Sequence, residues 1–467
     1  MPDRPYLYAE LTGSLCSSCL RKVEAKVVLQ DGGVYLHKRC PEHGAERVLV
    51  STDIDYWNLT RRFLKPGQMP RVFNTPIEHG CPFDCGLCAD HEQHSCLAIV
   101  EITDACNLSC PVCYAESSPQ RQTYRTLAQV ESMLDAVVRN EGEPDIVQIS
   151  GGEPTLHPEF FAILDAARRR PIKHLMVNTN GLRIAQDADF ARRLASYAPA
   201  FEIYLQFDSL RPEVHRVLRG ADLTSVRRRA LERLNELNLS TTLVCTLKKG
   251  LNDGELGGII DFALGQRCVR GVTFQPVQHA GRAEGFDPAR DRLTLAEVRT
   301  RILEQSPVFK PDDLIPVPCH PDCLAMGYAL KMAGKVTPLT GLIPRDTLLA
   351  AEGSTIVYER DPRLRAAVFN LFSTHHSPSS GAEAFRELLC CLPRVLAPPA
   401  LTYDNLFRVL IVQFLDAHNF DVRSVKKSCI HIVHPDGRLI PFDTYNLFYR
   451  DGREDAWRSA VARTAGR

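Results

Sequence analysis

Cys106, Cys110 and Cys113 have the C-x3-C-x2-C spacing. Three thiolates so placed can hold three irons of a 4Fe-4S cube, and the fourth iron, without a protein ligand, is open to an exogenous one and therefore catalytic. Further on, Ser150-Gly151-Gly152-Glu153-Pro154 joins two glycines, which permit close backbone approach, to a carboxylate that can meet an ammonium group. Cys81, Cys85 and Cys88 repeat the triplet spacing, and Cys96 follows as a fourth thiolate. That set reads as a closed auxiliary cluster, with four-thiolate zinc as the alternative. Nearest the start, Cys16-Ser-Ser-Cys19 and Cys40-Pro-Glu-His43 are two knuckles that complete a tetrahedron around Zn or a single Fe, an ion a small ribbon needs in order to fold. The tail adds Cys319, Cys323, Cys390, Cys391 and Cys429. Cys245 and Cys268 read as core thiols.

Short apolar runs begin at residue 99 and alternate with helical patterns, as in repeated βα units around a parallel sheet. Strands are expected at 99–102, 146–149, 174–177, 203–207, 242–245 and 271–275. Helices are expected at 127–139, 158–170, 187–197, 223–237 and 253–266. The fold class is α/β: a partial (β/α)6 barrel with a small N-terminal metal ribbon and an α+β C-terminal domain. The boundaries are 1–50 for a zinc-ribbon or rubredoxin-like domain, 51–98 for an auxiliary-cluster segment, 99–310 for the barrel and 311–467 for the C-terminal domain. The arginine runs 168–170 and 227–229 read as solvated helix faces. Segments 324–331, 364–371 and 406–415 read as apolar or amphipathic helices.

In 467 residues, 56 Lys and Arg balance 56 Asp and Glu, so no basic field points to nucleic acid. The start lacks a basic segment followed by an apolar run, and no apolar stretch is long enough to span a bilayer. The expectation is a cytoplasmic protein with reduced thiols and no transmembrane segment.

The Cys106 triplet after the first barrel strand and the Gly-Gly-Glu-Pro after the second resemble the radical S-adenosylmethionine (SAM) superfamily. Adding the knuckle domain, the double triplet, Pro318-Cys319-His320-Pro321-Asp322-Cys323 and the terminal Pro435-Asp436-Gly437-Arg438 to Tyr445-Asn446 stretch, the layout resembles the tetraether lipid synthase and pterin-methylase-like family. That resemblance implies cluster ligation by Cys106, Cys110 and Cys113. It implies that Gly151, Gly152 and Glu153 hold the methionyl amino group of SAM. Asn180, Gln206, Asp208 and Gln275 either line the SAM or substrate site or cap loops. Cys319, Cys323 and Cys429 are candidates for a second auxiliary cluster. Asp443 stands where the family pattern carries cysteine, so Asp443, Cys390 or Cys391 supplies the fourth contact, or an iron stays open.

The implied cofactors are one radical SAM cluster, one or two auxiliary 4Fe-4S clusters, SAM, and one Zn or mononuclear Fe, with an electron donor such as ferredoxin or flavodoxin. The implied chemistry is a 5'-deoxyadenosyl radical that abstracts hydrogen from an unactivated carbon. The first reading is carbon–carbon bond formation on lipid chains, with peripheral membrane contact through apolar patches. The second is methyl or methylene transfer to a pterin or another small heterocycle. A non-catalytic iron–sulfur electron carrier is the third, and Glu153 and the missing fourth ligand near Cys113 argue against it.

Overall fold

A computed structural model describes residues 5–332, 335–342, 349, 405–454 and 457. Four antiparallel strands, β1 (Leu7–Leu15), β2 (Lys22–Gln30), β3 (Gly33–Cys40) and β4 (Gly44–Ser51), make the N-terminal ribbon. Its apolar residues, Val27, Val34 and Leu36 among them, form a core too small to stand alone. The ribbon is tied to the rest of the chain by Lys38. This buried ammonium donates to the carbonyl oxygens of Leu15, Ala417 and His418 at 2.7, 2.8 and 2.7 Å.

Six parallel strands follow: β5 (Leu97–Glu101), β6 (Ile146–Ser150), β7 (His174–Thr179), β8 (Phe201–Gln206), β9 (Thr241–Leu247) and β10 (Val269–Pro276). The six expected strands and the helices between them are all present. Helix α1 (Leu127–Glu141) shows why the sequence folds locally. Thr126 and Gln129 form a reciprocal capping box at its start, Val130, Met133, Leu134 and Val137 bury one stripe, and Gly142 ends it with a φ of 74°.

Beyond residue 310 the described strands join the barrel sheet. Residues 324–331 and 406–415, expected as helices, are strands β11 (Leu324–Met332) and β12 (Leu406–Val412). A continuous apolar run of eight to ten residues does not distinguish a buried strand from a buried helix, and here sheet pairing decides. Segment 364–371 lies outside the described residues, as do Cys390 and Cys391. Strand β12 pairs parallel with β10, and β13 (Ile430–Val433) pairs parallel with β5. The parallel run is therefore β13-β5-β6-β7-β8-β9-β10-β12. Antiparallel β11 and β14 (Leu439–Pro441) flank it. The C-terminal strands thus extend both edges of the barrel sheet.

The arginine runs also divide differently from expectation. Arg227 is fully buried, donates to the Asn180 carbonyl oxygen and lies 4.0 Å from Asp208. It cannot be part of a solvated face.

Candidate active site and metal centres

Strand residues alternate between two environments. Val147 and Ile149, Leu175 and Val177, and Leu243 and Cys245 pack outward in the helix-facing core. Their alternates Gln148, Met176, Asn178, Tyr204, Gln206, Thr242, Thr246, Thr273 and Gln275 face inward. The period-two rule thus builds a hollow barrel interior, a cavity of about 220 Å³. The cavity reaches Cys106, Cys110, Cys113, Gly151 and Gly152 at the C-terminal ends of the strands, where barrel chemistry is usually placed. At the opposite end it reaches Cys96, Ile146, His174, Cys319 and Cys429.

The mouth is organised by backbone pairing between two loops. Gly152 N donates to Thr103 O at 2.8 Å, and Glu153 N donates to Ala105 O at 2.8 Å. Gly151 sits at φ 132°, and an added Cβ would lie 2.2 Å from Thr103 O; at Gly152 it would lie 2.3 Å from Ala105 O. Only glycine permits this approach. Gly152→Ala should therefore destabilise the protein by about 1–3 kcal/mol through forced displacement of the Cys106 loop, checked by thermal denaturation.

The Glu153 side chain faces away from the cavity. One carboxylate oxygen accepts from Thr155 N, Thr155 Oγ1 and Thr179 Oγ1, and the other accepts from Asn180 N at 2.7 Å. These donors pin the Gly-Gly turn against the end of β7, and Glu153 is not among the residues that line the cavity. Burial raises its pKa while these donors oppose the shift. Asn180 is likewise a brace, donating from Nδ2 to Asn107 Oδ1 at 2.7 Å and accepting from Leu182 N.

Asp208 is also not a cavity residue. It is fully buried and accepts twice from Arg219, at 2.7 and 2.6 Å. Arg219, a residue without any sequence motif, carries the positive charge to the cavity wall beside Cys110. Burial raises the Cys110 thiol, and the Arg219 guanidinium pulls it back. Burial, with the Glu153 charge second, pushes Cys106 up to about 12. Gln206 and Gln275 do line the cavity, and Gln275 Nε2 donates to Tyr204 Oη at 3.0 Å.

The cysteines sort into groups in space. Cys16, Cys19, Cys40 and His43 bring their donor atoms within 4.8 Å of one another, as the knuckle spacing requires. Cys81, Cys85 and Cys88 sit on a loop whose turn is held by Asp84, which accepts from the amides of Glu78, His79 and Gly80. Cys96 does not join them. Its sulfur lies within 4.8 Å of those of Cys319 and Cys429. Cys323, expected beside Cys319, packs instead in a cluster with Cys85 and Phe442. The tight turn between Cys319 and Cys323, with Cys323 N and Leu324 N donating to His320 O, separates the two sulfurs. Asp443 is fully engaged, accepting from Leu415 N and Ser428 Oγ. Burial raises its pKa to about 7. Cys245 and Cys268 are fully buried core residues.

Residues 100–263 match the radical SAM superfamily profile. The chain is an enzyme with a radical SAM domain. Residues 8–52 match the HMPTM N-terminal zinc ribbon domain, so the radical SAM domain is preceded by a zinc ribbon. The chain is 28% identical to a 7,8-dihydro-6-hydroxymethylpterin dimethyltransferase of Methanocaldococcus jannaschii, over 95% of this chain and 94% of that relative. It is 28% identical to a GTP 3',8-cyclase of Alkaliphilus metalliredigens over 45% of this chain and 64% of the relative. Among solved structures, Streptococcus suis SuiB bound to S-adenosylmethionine has a TM-score of 0.37 at 17% identity, over 44% of this chain and 46% of that one. A radical SAM domain implies a 4Fe-4S cluster and SAM. The lipid chemistry expected first gains no support from these relatives. No described helix is long and apolar enough to cross a membrane.

Proposed function

We propose that this radical SAM enzyme transfers a one-carbon unit to a pterin or a pterin-like heterocycle. The observation that carries the reading is the chemistry of the cavity wall. Gln148 Oε1 and Asn178 Oδ1 are buried on that wall without a hydrogen-bond partner. Buried polar atoms are normally satisfied, and an unpaired acceptor costs about 1–3 kcal/mol. Two amide oxygens in one cavity suit the ring N–H and amino donors of a pterin and offer nothing to an alkyl chain.

Charge points the same way. The two arginines on the wall are neutralised: Arg219 by Asp208, and Arg408 by Glu202 at 2.6 Å. Burial alone would raise the Glu202 carboxyl, but Arg408 and His174 hold it well below the usual carboxylate range. A cavity so balanced favours an uncharged heterocycle over a nucleoside triphosphate. The nearly full-length likeness to a pterin dimethyltransferase supports the same substrate class.

In this reading Cys106, Cys110 and Cys113 hold the cluster at the cavity mouth, and Gly151 and Gly152 present backbone to SAM. Cluster and SAM, when bound, supply the one-electron cleavage that starts radical chemistry. The residues of the chain bind, orient and exclude water. Cys81, Cys85 and Cys88 hold an auxiliary cluster, and Cys16, Cys19, Cys40 and His43 hold the ribbon zinc.

The test is anoxic turnover of the reconstituted enzyme with SAM, a reductant and 7,8-dihydro-6-hydroxymethylpterin, read by mass spectrometry. A product one or two methyl groups heavier supports the proposal. SAM cleavage that leaves the pterin unchanged rejects it. Gln148→Ala and Asn178→Ala should each raise KM for the pterin about fivefold, or about 1 kcal/mol, with the KM for SAM unchanged.

A further inference from the structure

An exposed apolar and basic ledge runs up to the loop of the Cys81 triplet. Residues 64–80 form neither helix nor strand. Of the ten large apolar side chains exposed among the described residues, five fall within fourteen positions here: Leu64, Met69, Val72, Phe73 and Ile77, between 42% and 54% exposed. Exposed apolar residues scattered singly need no explanation, but such a concentration marks a contact surface.

The exposure is not slack chain. Arg71 N donates to Asn140 O at 2.7 Å, His94 N to Gln68 O at 2.6 Å and Asn74 N to Leu87 O at 2.9 Å. Asn74 Nδ2 adds a bond to Gly437 O at 2.9 Å. The side chains are therefore presented from a fixed backbone, which lowers the ordering cost of binding a partner. Pro66, Pro70 and Pro76 remove amides along the segment, so a partner meets it through side chains and not by adding a strand.

Its charge is one-sided. From Arg61 to Ile77 there are four Lys or Arg and no Asp or Glu, in a chain whose total charge balances. Arg61 is answered by Glu10 and Asp322, whereas Arg62 and Arg71 are exposed. The next carboxylates along the chain are the exposed Glu78 and Asp84, and one oxygen of Asp84 is taken up by three backbone amides. Such a surface complements an acidic protein.

The ledge ends on the thiolates. Leu87, which accepts from Asn74, lies between Cys85 and Cys88, and Thr75 packs so closely on Gly86 that an added Cβ there would lie 2.0 Å from Thr75 Oγ1. Cys85 and Cys88 are buried, Cys81 is half-buried, and Lys22 Nζ donates to the Cys81 carbonyl oxygen at 2.7 Å. A partner seated on Val72, Phe73 and Ile77 is thus brought against this loop.

We propose that the ledge of residues 62–77 is the docking surface for an acidic one-electron carrier protein, which passes its electron into the chain at the Cys81 loop. The inference rests on the reading of Cys81, Cys85 and Cys88 as cluster ligands and is independent of the substrate. One-electron cleavage of SAM calls for such a partner repeatedly and briefly, which suits a small contact area. In the step one electron leaves the carrier and one cluster is reduced; no bond forms or breaks and no proton moves. A segment without a helix lacks the continuous apolar face by which an amphipathic helix lies on a bilayer, so the charge is better matched to a protein than to a membrane.

The test mixes the cluster-loaded full chain with reduced flavodoxin, an acidic carrier whose flavin hydroquinone becomes the semiquinone on losing one electron. Its oxidation, followed by stopped-flow absorbance, should slow steeply as salt is raised. Arg62→Glu with Arg71→Glu should slow it about tenfold or more, and Phe73→Ser with Ile77→Ser about fivefold. Both double variants should bind oxidised flavodoxin correspondingly more weakly by calorimetry, yet cleave SAM at the wild-type rate with dithionite, a small reductant that does not need the surface. Arg228→Glu with Arg229→Glu, exposed on a barrel helix, should change neither rate nor binding. Iron and sulfide content reports separately on the Cys81 cluster, since calorimetric binding does not require it. The proposal is overturned if the rate ignores both salt and charge reversal, or if reduced flavodoxin and reduced ferredoxin both fail with protein that dithionite activates. It is equally overturned if the variants lose binding to phosphatidylglycerol vesicles while electron transfer persists.

Discussion

Cys110→Ala is expected to yield a folded protein that retains its ribbon zinc and forms no 5'-deoxyadenosine from SAM. Cys88→Ala should still cleave SAM. The contrast follows from placement. Cys110 lines the cavity mouth beside Gly151, Gly152 and Arg219, at the end of β5, whereas the Cys81 triplet lies on a separate loop that is not part of the cavity wall. The two triplets have identical spacing, so only position separates their roles. Anoxic assays of 5'-deoxyadenosine, with iron and zinc counted per chain, read the result. Complete loss in both variants would show that the second triplet also serves the cleavage step.

The second large effect belongs to Asp208. The Asp208→Asn variant should lose about 3–5 kcal/mol of stability, because it leaves Arg219 and Arg227 buried together without their shared counter-charge. Asparagine tolerates the left-handed backbone at this position, φ 67°, so the substitution removes charge without adding backbone strain. Burial opposes ionisation of Asp208, yet Arg219 holds its carboxyl below the ordinary value. Denaturant unfolding of the variant, of Arg219→Met and of the double variant measures the coupling. The double variant should be more stable than the sum of the single losses. Strict additivity would mean the pair contributes nothing through mutual charge.

The sequence disclosed the barrel because each of its strands is a short apolar run between turn signals, and it disclosed the ribbon because two knuckles are a local pattern. It also disclosed both triplets. What it could not disclose depended on partners distant in the chain. Cys96 follows Cys88 closely, so spacing assigned it there, but at the base of β5 it meets Cys429, which is brought in by the pairing of β13 with β5. Glu153, Asn180 and Asp208 were recognised as polar residues at strand ends. Whether such a side chain faces the cavity or braces a loop depends on Thr179, Asn107 and Arg219, which no local motif ties to them. The inward polar alternation of β6 to β10 was present in the sequence and marks the cavity wall in retrospect.

The extension of the sheet by β12 on one side and β13 on the other has a consequence for biosynthesis. During synthesis the six central strands emerge before β12 and β13, with β5 and β10 as edges whose amides and carbonyls can capture a neighbouring nascent chain. Among the described residues, the strands that cover these edges lie within 406–433 and leave the ribosome later. A stop codon placed near residue 400 would therefore produce a chain that has its whole catalytic motif set and still aggregates.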